Sequence, residues 1–234
     1  MVMLREELCG IIASNLILKD LGESDCQLFM EHGRPRRVDE NAYFFHQGQP
    51  AELFYILVEG QVKLTQVTAS GQQIILQIVG PGGGIGIIVV LGEMDYPASA
   101  LALQDCLAYS WDRETTRQLM LKMPQLAING MELVSRRFAR LQFRYQELAT
   151  QRVEQRVAIT LLRLARQFGK REAEGVLINM LLSRQDLAEM TGTNLYNVSR
   201  ILNKWEQKEI VSLGRQRVVL INAHKLVVIS EGIS

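Results

Sequence analysis

The last third of the chain contains a run in which apolar residues recur every three or four positions. The run begins at Leu195 and ends at Trp205, and its spacing of i, i+3, i+4 and i+7 is that of one buried helix face. The apolar positions are Leu195, Val198, Ile201, Leu202 and Trp205. The opposite face carries hydrogen-bonding side chains, namely Tyr196, Ser199, Arg200 and Asn203. The pattern predicts an amphipathic helix with an exposed polar face.

A shorter helix is predicted immediately before it. Ser183 can cap this helix, and Asp186 three residues later completes a capping box. Gly192 follows, and a glycine allows the chain to turn without the steric cost of a Cβ atom. After Ile210, two apolar runs flank residues 214–217, which predicts a hairpin with a basic tip. Helix, turn, helix and basic hairpin together predict a winged helix within residues 151–234.

A winged helix is typical of proteins that read double-stranded DNA. A guanine presents two acceptors in the major groove that one arginine can bind in bidentate fashion, so Arg200 is the main candidate for base recognition. Asn, Ser and Tyr side chains can reach base edges or phosphates. The candidate DNA-binding residues are Ser183, Arg184, Asn194, Tyr196, Asn197, Ser199, Arg200, Asn203, Lys204, Arg215 and Arg217. An alternative stays open, in which the two helices form a platform for a protein partner.

The first half of the chain becomes β-rich after a helical start. From about residue 36, short runs such as ELFYILVEGQVKLTQVT and GQQIILQIVGPG alternate with turns. Glycines recur at the spacing expected for strands joined by tight turns, at Gly48, Gly60, Gly71, Gly80 and Gly92. This pattern predicts a jelly-roll-like β-roll over residues 1–123. The fold class expected for the whole chain is therefore α+β.

A long helix is predicted between the two domains, over residues 124–150. Pro124 is well placed as its first residue. Apolar or large residues then follow at alternating steps of four and three, the heptad pattern of a two-stranded coiled coil. We call these positions the heptad face: Ala127, Met131, Val134, Phe138, Leu141, Tyr145 and Leu148. A homodimer is expected, because two recognition helices related by a two-fold axis read inverted half-sites. Packing of this face on the chain's own β-roll is the alternative.

Charge is distributed unevenly along the 234 residues. Residues 151–234 contain 13 Lys and Arg against 8 Asp and Glu, whereas the first 150 residues contain 13 against 17. A positive C-terminal half is expected of a domain that binds a polyanion.

Neither a signal peptide nor a membrane span is recognisable, so a cytoplasmic protein is expected. The three scattered cysteines indicate neither a disulfide framework nor a zinc site.

With these parts in order, the chain resembles the CRP/FNR superfamily of bacterial transcription regulators over nearly its whole length. The most specific segment is LSRQDLAEMTGTNLYNVSRILNKWEQKEIV, supported by FHQGQPAELFYILVEGQVKL in the β-roll. The resemblance implies that Arg200 binds a guanine of the half-site. The base-reading Glu usual in the family is replaced by Tyr196, so the familiar half-site is not assumed. RNA polymerase is an implied protein partner, as for an activator.

The resemblance also bears on the effector. Members that bind cyclic AMP hold the ribose with a Gly-Glu pair and the phosphate with an Arg, but here Gly86 precedes Ile87, and no basic residue lies between Lys63 and Arg113. Cyclic AMP is therefore not expected unless an arginine of the long helix substitutes. The expected pocket is lined by Ile85, Gly86, Ile87, Val89, Leu91, Pro97 and Ser99, and closed by Leu141 and Gln142.

Other cofactors can be weighed by their ligands. An iron-sulfur cluster requires four cysteine thiolates and is not expected. Haem requires an axial ligand, for which His32, His46, Met94 or Cys106 could serve, although His46 is more simply a structural residue of its turn. An apolar pocket suits haem, an aromatic acid or another neutral-to-anionic organic ligand. The sequence does not choose among these.

The function expected is that of a homodimeric, one-component regulator that binds a palindromic operator under control of an effector in the β-roll. The effector would change the order of the long helices, and a hinge near Thr150 would reposition the recognition helices. A regulator without a ligand and one controlled by thiol oxidation stay open, as does a module acting on a protein partner. An enzyme is not expected, because the sequence shows no acid/base pair, nucleophile constellation or phosphate-cradling loop. The run PGGGIG lacks both the Lys of a P-loop and the strand-to-helix context of a dinucleotide fold.

Overall fold

The computed structural model describes residues 5–87, 92 and 94–232, and for residues 5 and 6 it describes the backbone alone. Contacts divide the chain into two compact units. The first comprises residues 1–72 and 76–140, and the second comprises residues 73–75 and 141–234. The division falls inside the long helix and not at either of its ends.

The first unit begins with two short helices, α1 (Arg5–Ala13) and α2 (Glu23–Glu31), separated by a 3-10 turn at Leu16–Leu18. Eight strands follow among the residues that the structure describes, and the helix α3 (Arg113–Lys122) closes the unit before the long helix. The strands are β1 (Arg34–Val38), β2 (Tyr43–Phe45), β3 (Leu53–Glu59), β4 (Val62–Val67), β5 (Gln73–Val79), β6 (Gly84–Ile85), β7 (Ser99–Ala102) and β8 (Cys106–Asp112). They form two four-stranded sheets, β1-β8-β3-β6 and β2-β7-β4-β5. The predicted β-roll is confirmed.

Two apolar clusters hold this unit together. The cluster inside the roll contains Phe44, Phe45, Tyr55, Leu57, Ile85 and Tyr96. The other cluster joins the roll to the helices, and contains Ile12, Ile17, Phe29, Phe54, Ile87, Trp111, Leu119 and Leu126. Trp111 stacks between Phe29 and Phe54, at ring-centroid distances of 4.5 and 5.1 Å, and its indole N–H donates to the Phe29 carbonyl at 2.9 Å. This bond satisfies the one polar atom of an otherwise apolar side chain.

The turn between β3 and β4 requires a glycine for steric reasons. Gly60 has φ +93°, and a Cβ atom there would lie 2.7 Å from the Asp105 carbonyl oxygen. Both the backbone conformation and the close approach exclude a larger residue. The glycine spacing read from the sequence therefore marks a real constraint at this turn.

The long helix α4 (Pro124–Thr150) is anchored at its start and uncovered beyond it. Leu126 is fully buried, and Asn129 is 1% exposed. The Asn129 amide donates to the carbonyls of Ile17 and Lys19, at 3.0 and 2.6 Å, and its oxygen accepts from Gln125 at 3.0 Å. A buried amide with these hydrogen bonds made fixes the start of the helix on the 3-10 turn.

The heptad face remains open within one protomer. Six of its seven residues are exposed large apolar side chains: Met131, Val134, Phe138, Leu141, Tyr145 and Leu148. The Phe138 side chain, for example, is 60% exposed. A contiguous apolar stripe of this length is a partner-binding surface and not a solvated one. The alternative in which the face packs on its own β-roll is therefore wrong for residues 131–140, which belong to the same unit as the roll.

The second unit continues from the end of α4 into a winged helix-turn-helix domain. Its helices are α5 (Val153–Phe168), α6 (Arg184–Thr191), α7 (Leu195–Gln207) and α8 (Ala223–Glu231). Its strands are β9 (Gly169–Glu172), β10 (Gly175–Ile178), β11 (Val211–Gly214) and β12 (Arg217–Leu220), in the order β11-β12-β10-β9. The predicted winged helix is confirmed, and the hairpin β9-β10 and the helix α8 are additions that the sequence pattern did not predict. Across the described residues, no helix is long and apolar enough to cross a membrane.

Phe138→Glu tests the heptad face. Like charges would meet across a two-fold interface, which costs several kcal/mol of dimer stability, so we expect monomers in sedimentation velocity at concentrations where the wild type is dimeric. Gln146→Glu, at an exposed position of α4 off the heptad face, is the matched control and should leave the dimer intact. Dimers that survive Phe138→Glu would contradict the assignment.

Candidate nucleic-acid interface and effector site

The first helix of the helix-turn-helix starts as the sequence predicts. The Ser183 hydroxyl accepts from the Asp186 N–H at 3.0 Å, and the Ser183 N–H donates to the Asp186 carboxylate at 3.0 Å. At the other end, Gly192 is left-handed, with φ 61° and ψ 44°. The capping box and the glycine turn are both confirmed. The hydrogen bonds of Ser183 are therefore used to cap the start of α6.

Two arginines bind the C-terminal carbonyls of α6. The Arg156 guanidinium, from α5, donates to Thr191 O at 2.9 Å and to Gly192 O at 3.4 Å. Arg144, from the last third of α4, donates to Met190 O at 2.7 Å. Cations at a helix C-terminus satisfy unpaired carbonyls and oppose the negative end of the helix dipole. These contacts set the position of α6, and sequence reasoning missed both residues because they come from distant segments.

The recognition helix α7 buries four of its five predicted apolar positions, Val198, Ile201, Leu202 and Trp205. Leu195 is the exception, being 48% exposed. It is the first residue of the helix and lines the rim of a cavity of about 360 Å³ that is open to solvent between α6, α7 and the wing. The expectation that Leu195 belongs to the buried stripe is therefore wrong, because the helix begins there and only one side of the residue meets the core.

The polar residues of α7 divide into engaged and open groups. Asn194 caps the helix by accepting from the Asn197 N–H at 2.9 Å, and the Asn197 amide donates to Thr193 Oγ1 at 3.1 Å. These contacts stabilise the helix start. In contrast, the exposed Arg200 makes no hydrogen bond or ion pair with any residue that the structure describes. Ser199, Arg200 and Tyr196 are the residues left available to a ligand.

Three further candidates, Arg184, Asn203 and Lys204, are held by partners within the domain. Arg184 donates to Asn203 Oδ1 at 2.9 Å, which joins α6 to α7 at the surface. Lys204 pairs with Glu154 at 3.0 Å, and the Trp205 indole donates to the same carboxylate. Burial would raise the pKa of Glu154, but the hydrogen bonds from Lys204 and Trp205 outweigh it and lower that pKa. Lys204 therefore serves the contact between α5 and α7.

The two arginines of the wing differ in their surroundings. Arg215 is exposed at the hairpin tip and makes no ion pair with a described residue. Arg217 forms a salt bridge of 2.5 Å with Glu172, on the hairpin β9-β10 that the sequence did not reveal. The two side chains are therefore not the equal phosphate ligands that residue type alone predicts. Of these two arginines, Arg215 has no carboxylate partner among the described residues, whereas the charge of Arg217 is neutralised by Glu172.

The expected effector pocket is split between the two apolar clusters. Ile85 lies in the roll interior, whereas Ile87 is buried in the cluster formed with the helices. Gly86 between them has φ +82°, and a Cβ atom there would lie 3.0 Å from the Leu53 carbonyl oxygen. Ile85 and Ile87 were expected to line one pocket. They face different apolar clusters because Gly86 turns the chain between them.

The remaining pocket residues fall in several places. Ser99 starts β7, and its hydroxyl accepts from the Gln47 N–H at 2.9 Å. Pro97 is exposed, and so are Leu141 and Gln142, which belong to the second unit. Val89 and Leu91 lie outside the described residues. Tyr96 stacks on Phe45 with ring centroids 3.6 Å apart, and burial raises its pKa to about 12. The phenol thus remains neutral and structural.

A cation does reach this region, from the long helix. The Arg137 guanidinium donates to the Gly84 carbonyl at 2.8 Å. Burial, and then the charge of Arg140, lower the pKa of Arg137 to about 10, so it is still positive at neutral pH. No described carboxylate pairs with it. The sequence leaves open that an arginine of the long helix could replace the missing basic residue, and Arg137 is the arginine that contacts the roll at Gly84.

The other candidate cofactor ligands do not assemble into a centre. His32, His46 and Met94 are exposed, and Cys106 is buried with its thiol directed at the carbonyls of Gln61 and Gln104. Burial raises the pKa of Cys106 and of Cys26, which keeps both as thiols. Within the described part of the chain, no three His, Cys, Asp or Glu side chains come together as a metal site.

Comparison with known proteins agrees with this architecture in both units. Residues 35–123 match the cyclic nucleotide-binding domain, and residues 155–229 match the Crp-like helix-turn-helix domain. The chain belongs to the CRP/FNR family. The cyclic AMP receptor protein of Thermus thermophilus is 28% identical over 214 residues, which are 92% of this chain and 96% of that protein. The global nitrogen regulator of Synechococcus elongatus is 26% identical over 208 residues, which are 88% and 91% of the two chains.

A solved structure shows the same fold. The c-di-GMP-responsive global regulator of Xanthomonas campestris superposes with a TM-score of 0.75 at 21% identity, covering 85% of this chain and 99% of that one. CRP/FNR regulators bind DNA and act as dimers, and the relatives of this chain are regulators of transcription. This CRP/FNR chain is accordingly an effector-responsive, DNA-binding transcriptional regulator.

The wing predicts an asymmetry between its arginines. Arg215→Ala should weaken binding to all duplexes alike and reduce the slope of log K against log salt by about 0.9 for each phosphate that Arg215 neutralises. Arg217→Ala should change the slope less, because Glu172 already neutralises that charge. Glu172→Gln should steepen the slope by releasing Arg217. Fluorescence anisotropy over a salt series measures all three, and equal effects of Arg215→Ala and Arg217→Ala would contradict the salt bridge.

Proposed function

We propose that the protein binds a palindromic operator as a homodimer, with Arg200 of each recognition helix bound to a guanine. The observation that carries the proposal is the open guanidinium of Arg200, on the exposed face of a helix whose other face is buried. A free arginine fork on such a helix matches the two guanine acceptors of the major groove. The exposed heptad face supports the two-fold arrangement, because covering it pairs two chains.

Arg200→Ala should abolish preference for the operator while leaving dimers intact, since one bidentate guanine contact is worth about 1–3 kcal/mol per half-site. Arg200→Lys is the matched control for charge, because lysine keeps phosphate attraction but lacks the planar fork. Competition binding between the operator and random duplex measures the specificity ratio. A ratio unchanged in both variants would contradict the recognition-helix assignment. Failure to bind any duplex, even at low salt, would favour a protein partner instead.

We also infer that the effector is an organic anion bound at Arg137. The guanidinium is partly buried, has one carbonyl partner and lacks a described carboxylate, so a ligand anion would supply the missing charge. The fit to a cyclic nucleotide is incomplete. Ile87 occupies the position where the cyclic AMP-binding members place the ribose-binding Glu, and it is buried in an apolar cluster. The pocket therefore supplies the anion contact and lacks the ribose contact.

The effector proposal predicts that cyclic AMP and cyclic GMP bind more weakly than micromolar in calorimetric titration, because the ribose hydroxyl has no carboxylate acceptor. Arg137→Gln should remove whatever binding remains, whereas Arg136→Gln, on the neighbouring exposed residue, should not. Micromolar or tighter binding that persists in Arg137→Gln would overturn the assignment of Arg137.

RNA polymerase is the protein partner that we propose, because a DNA-bound activator acts by contacting it. A regulator of transcription works where the DNA is, so the cytoplasm is the expected location. Both parts of the proposal rest on family membership and not on a surface of the molecule.

A further inference from the structure

The first turn of the recognition helix presents hydrocarbon where a DNA-reading surface is usually polar. Tyr196 is 74% exposed and Leu195 is 48% exposed. The first turn of α7 contains no acidic residue. The Tyr196 hydroxyl makes no hydrogen bond with a residue that the structure describes, so the ring is not held there by the fold. A large side chain left open in this way is available to a ligand.

The position of Tyr196 relative to Arg200 defines what that ligand can be. Residues four apart lie one above the other on a helix, about 6 Å along its axis. Base pairs follow one another at about 3.4 Å. The ring of Tyr196 would therefore face a base within about two steps of the guanine bound by Arg200. Leu195 lies beside it, one turn before Ser199.

The major groove offers one apolar group to such a side chain, the 5-methyl group of thymine. A carboxylate at this position would accept a hydrogen bond from the amino group of cytosine, which an aromatic ring and an isobutyl group cannot do. With Tyr196 in place of the Glu usual in the family, and with Leu195 beside it, this part of the helix disfavours cytosine and favours thymine. The phenol hydroxyl, at the end of the ring, is free to reach a phosphate or a water.

We propose that Tyr196, with Leu195 beside it, is a specificity-determining residue that reads a thymine methyl group in each half-site. The inference rests on the proposed function, since it requires α7 to enter the major groove with Arg200 at a guanine. It adds the base class at a position that the family resemblance leaves undefined.

The experiment begins with selection of duplexes bound by the full-length wild type from a random pool. Each thymine of the selected operator is then replaced by deoxyuridine, which removes the methyl group alone. One thymine per half-site, within two base pairs of the guanine that Arg200 requires, should respond with an affinity reduced about fourfold, the value of one buried methyl group. Replacement in both half-sites should give the square of that factor. Thymines in the flanks of the same duplex are the matched control.

The variants Tyr196→Ala and Tyr196→Glu separate methyl reading from other roles. Tyr196 is exposed, so both should fold. Tyr196→Ala should bind thymine and deoxyuridine operators equally, and Tyr196→Glu should prefer cytosine at the same position. Insensitivity of the wild type to every deoxyuridine, or a thymine preference that persists in Tyr196→Ala, would overturn the inference while the Arg200 dependence stood. Loss of the Arg200 dependence itself would overturn the proposed function as well.

Discussion

The long helix carries an apolar face that its own protomer leaves exposed, and this face has to be covered by a partner. The rest of the arrangement follows from this constraint. Its start is fixed by the hydrogen-bonded amide of Asn129. Beyond that point, the helix contributes Arg137 to the β-roll and Arg144 to the carbonyl end of α6. The same helix therefore supplies a side chain to the sensor and another to the first helix of the DNA-binding motif. The effector anion that we propose at Arg137 would therefore bind a side chain of this helix.

Charge compensation decides which basic residues are available to DNA. Lys204 and Arg217 are paired with Glu154 and Glu172, and Arg156 is committed to the end of α6. Arg200 and Arg215 have no such partners among the described residues. Because exposed ion pairs are weak, about 0–1 kcal/mol, the pairing reduces the attraction for phosphates without locking the side chains. In the proposed function, Arg200 reads a base and Arg215 supplies non-specific attraction, so the two tasks fall to different residues of one small domain.

Local features predicted the winged helix and the long helix well. The capping box at Ser183, the glycine turn at Gly192 and the heptad steps of α4 each depend on residues within a few positions of one another. The site was less predictable. Arg137 lies 53 residues beyond Gly84 along the chain, and neither local pattern nor spacing relates the two. Leu195 matched the apolar stripe but is exposed, because periodicity does not show where a helix begins.

The sequence by itself determined the order of the elements and the polar face of the recognition helix, since these are properties of residue type and short spacing. Its resemblance to the family added that Ile87 stands where a ribose-binding Glu is expected. Only the tertiary structure decided that Ile85 and Ile87 belong to different cores, that Glu172 neutralises Arg217, and that an arginine reaches the β-roll from the long helix. The physical reason is the same in each case. Burial and ion pairing depend on which distant segments the fold brings within a few ångströms, and a one-dimensional pattern carries no measure of that distance.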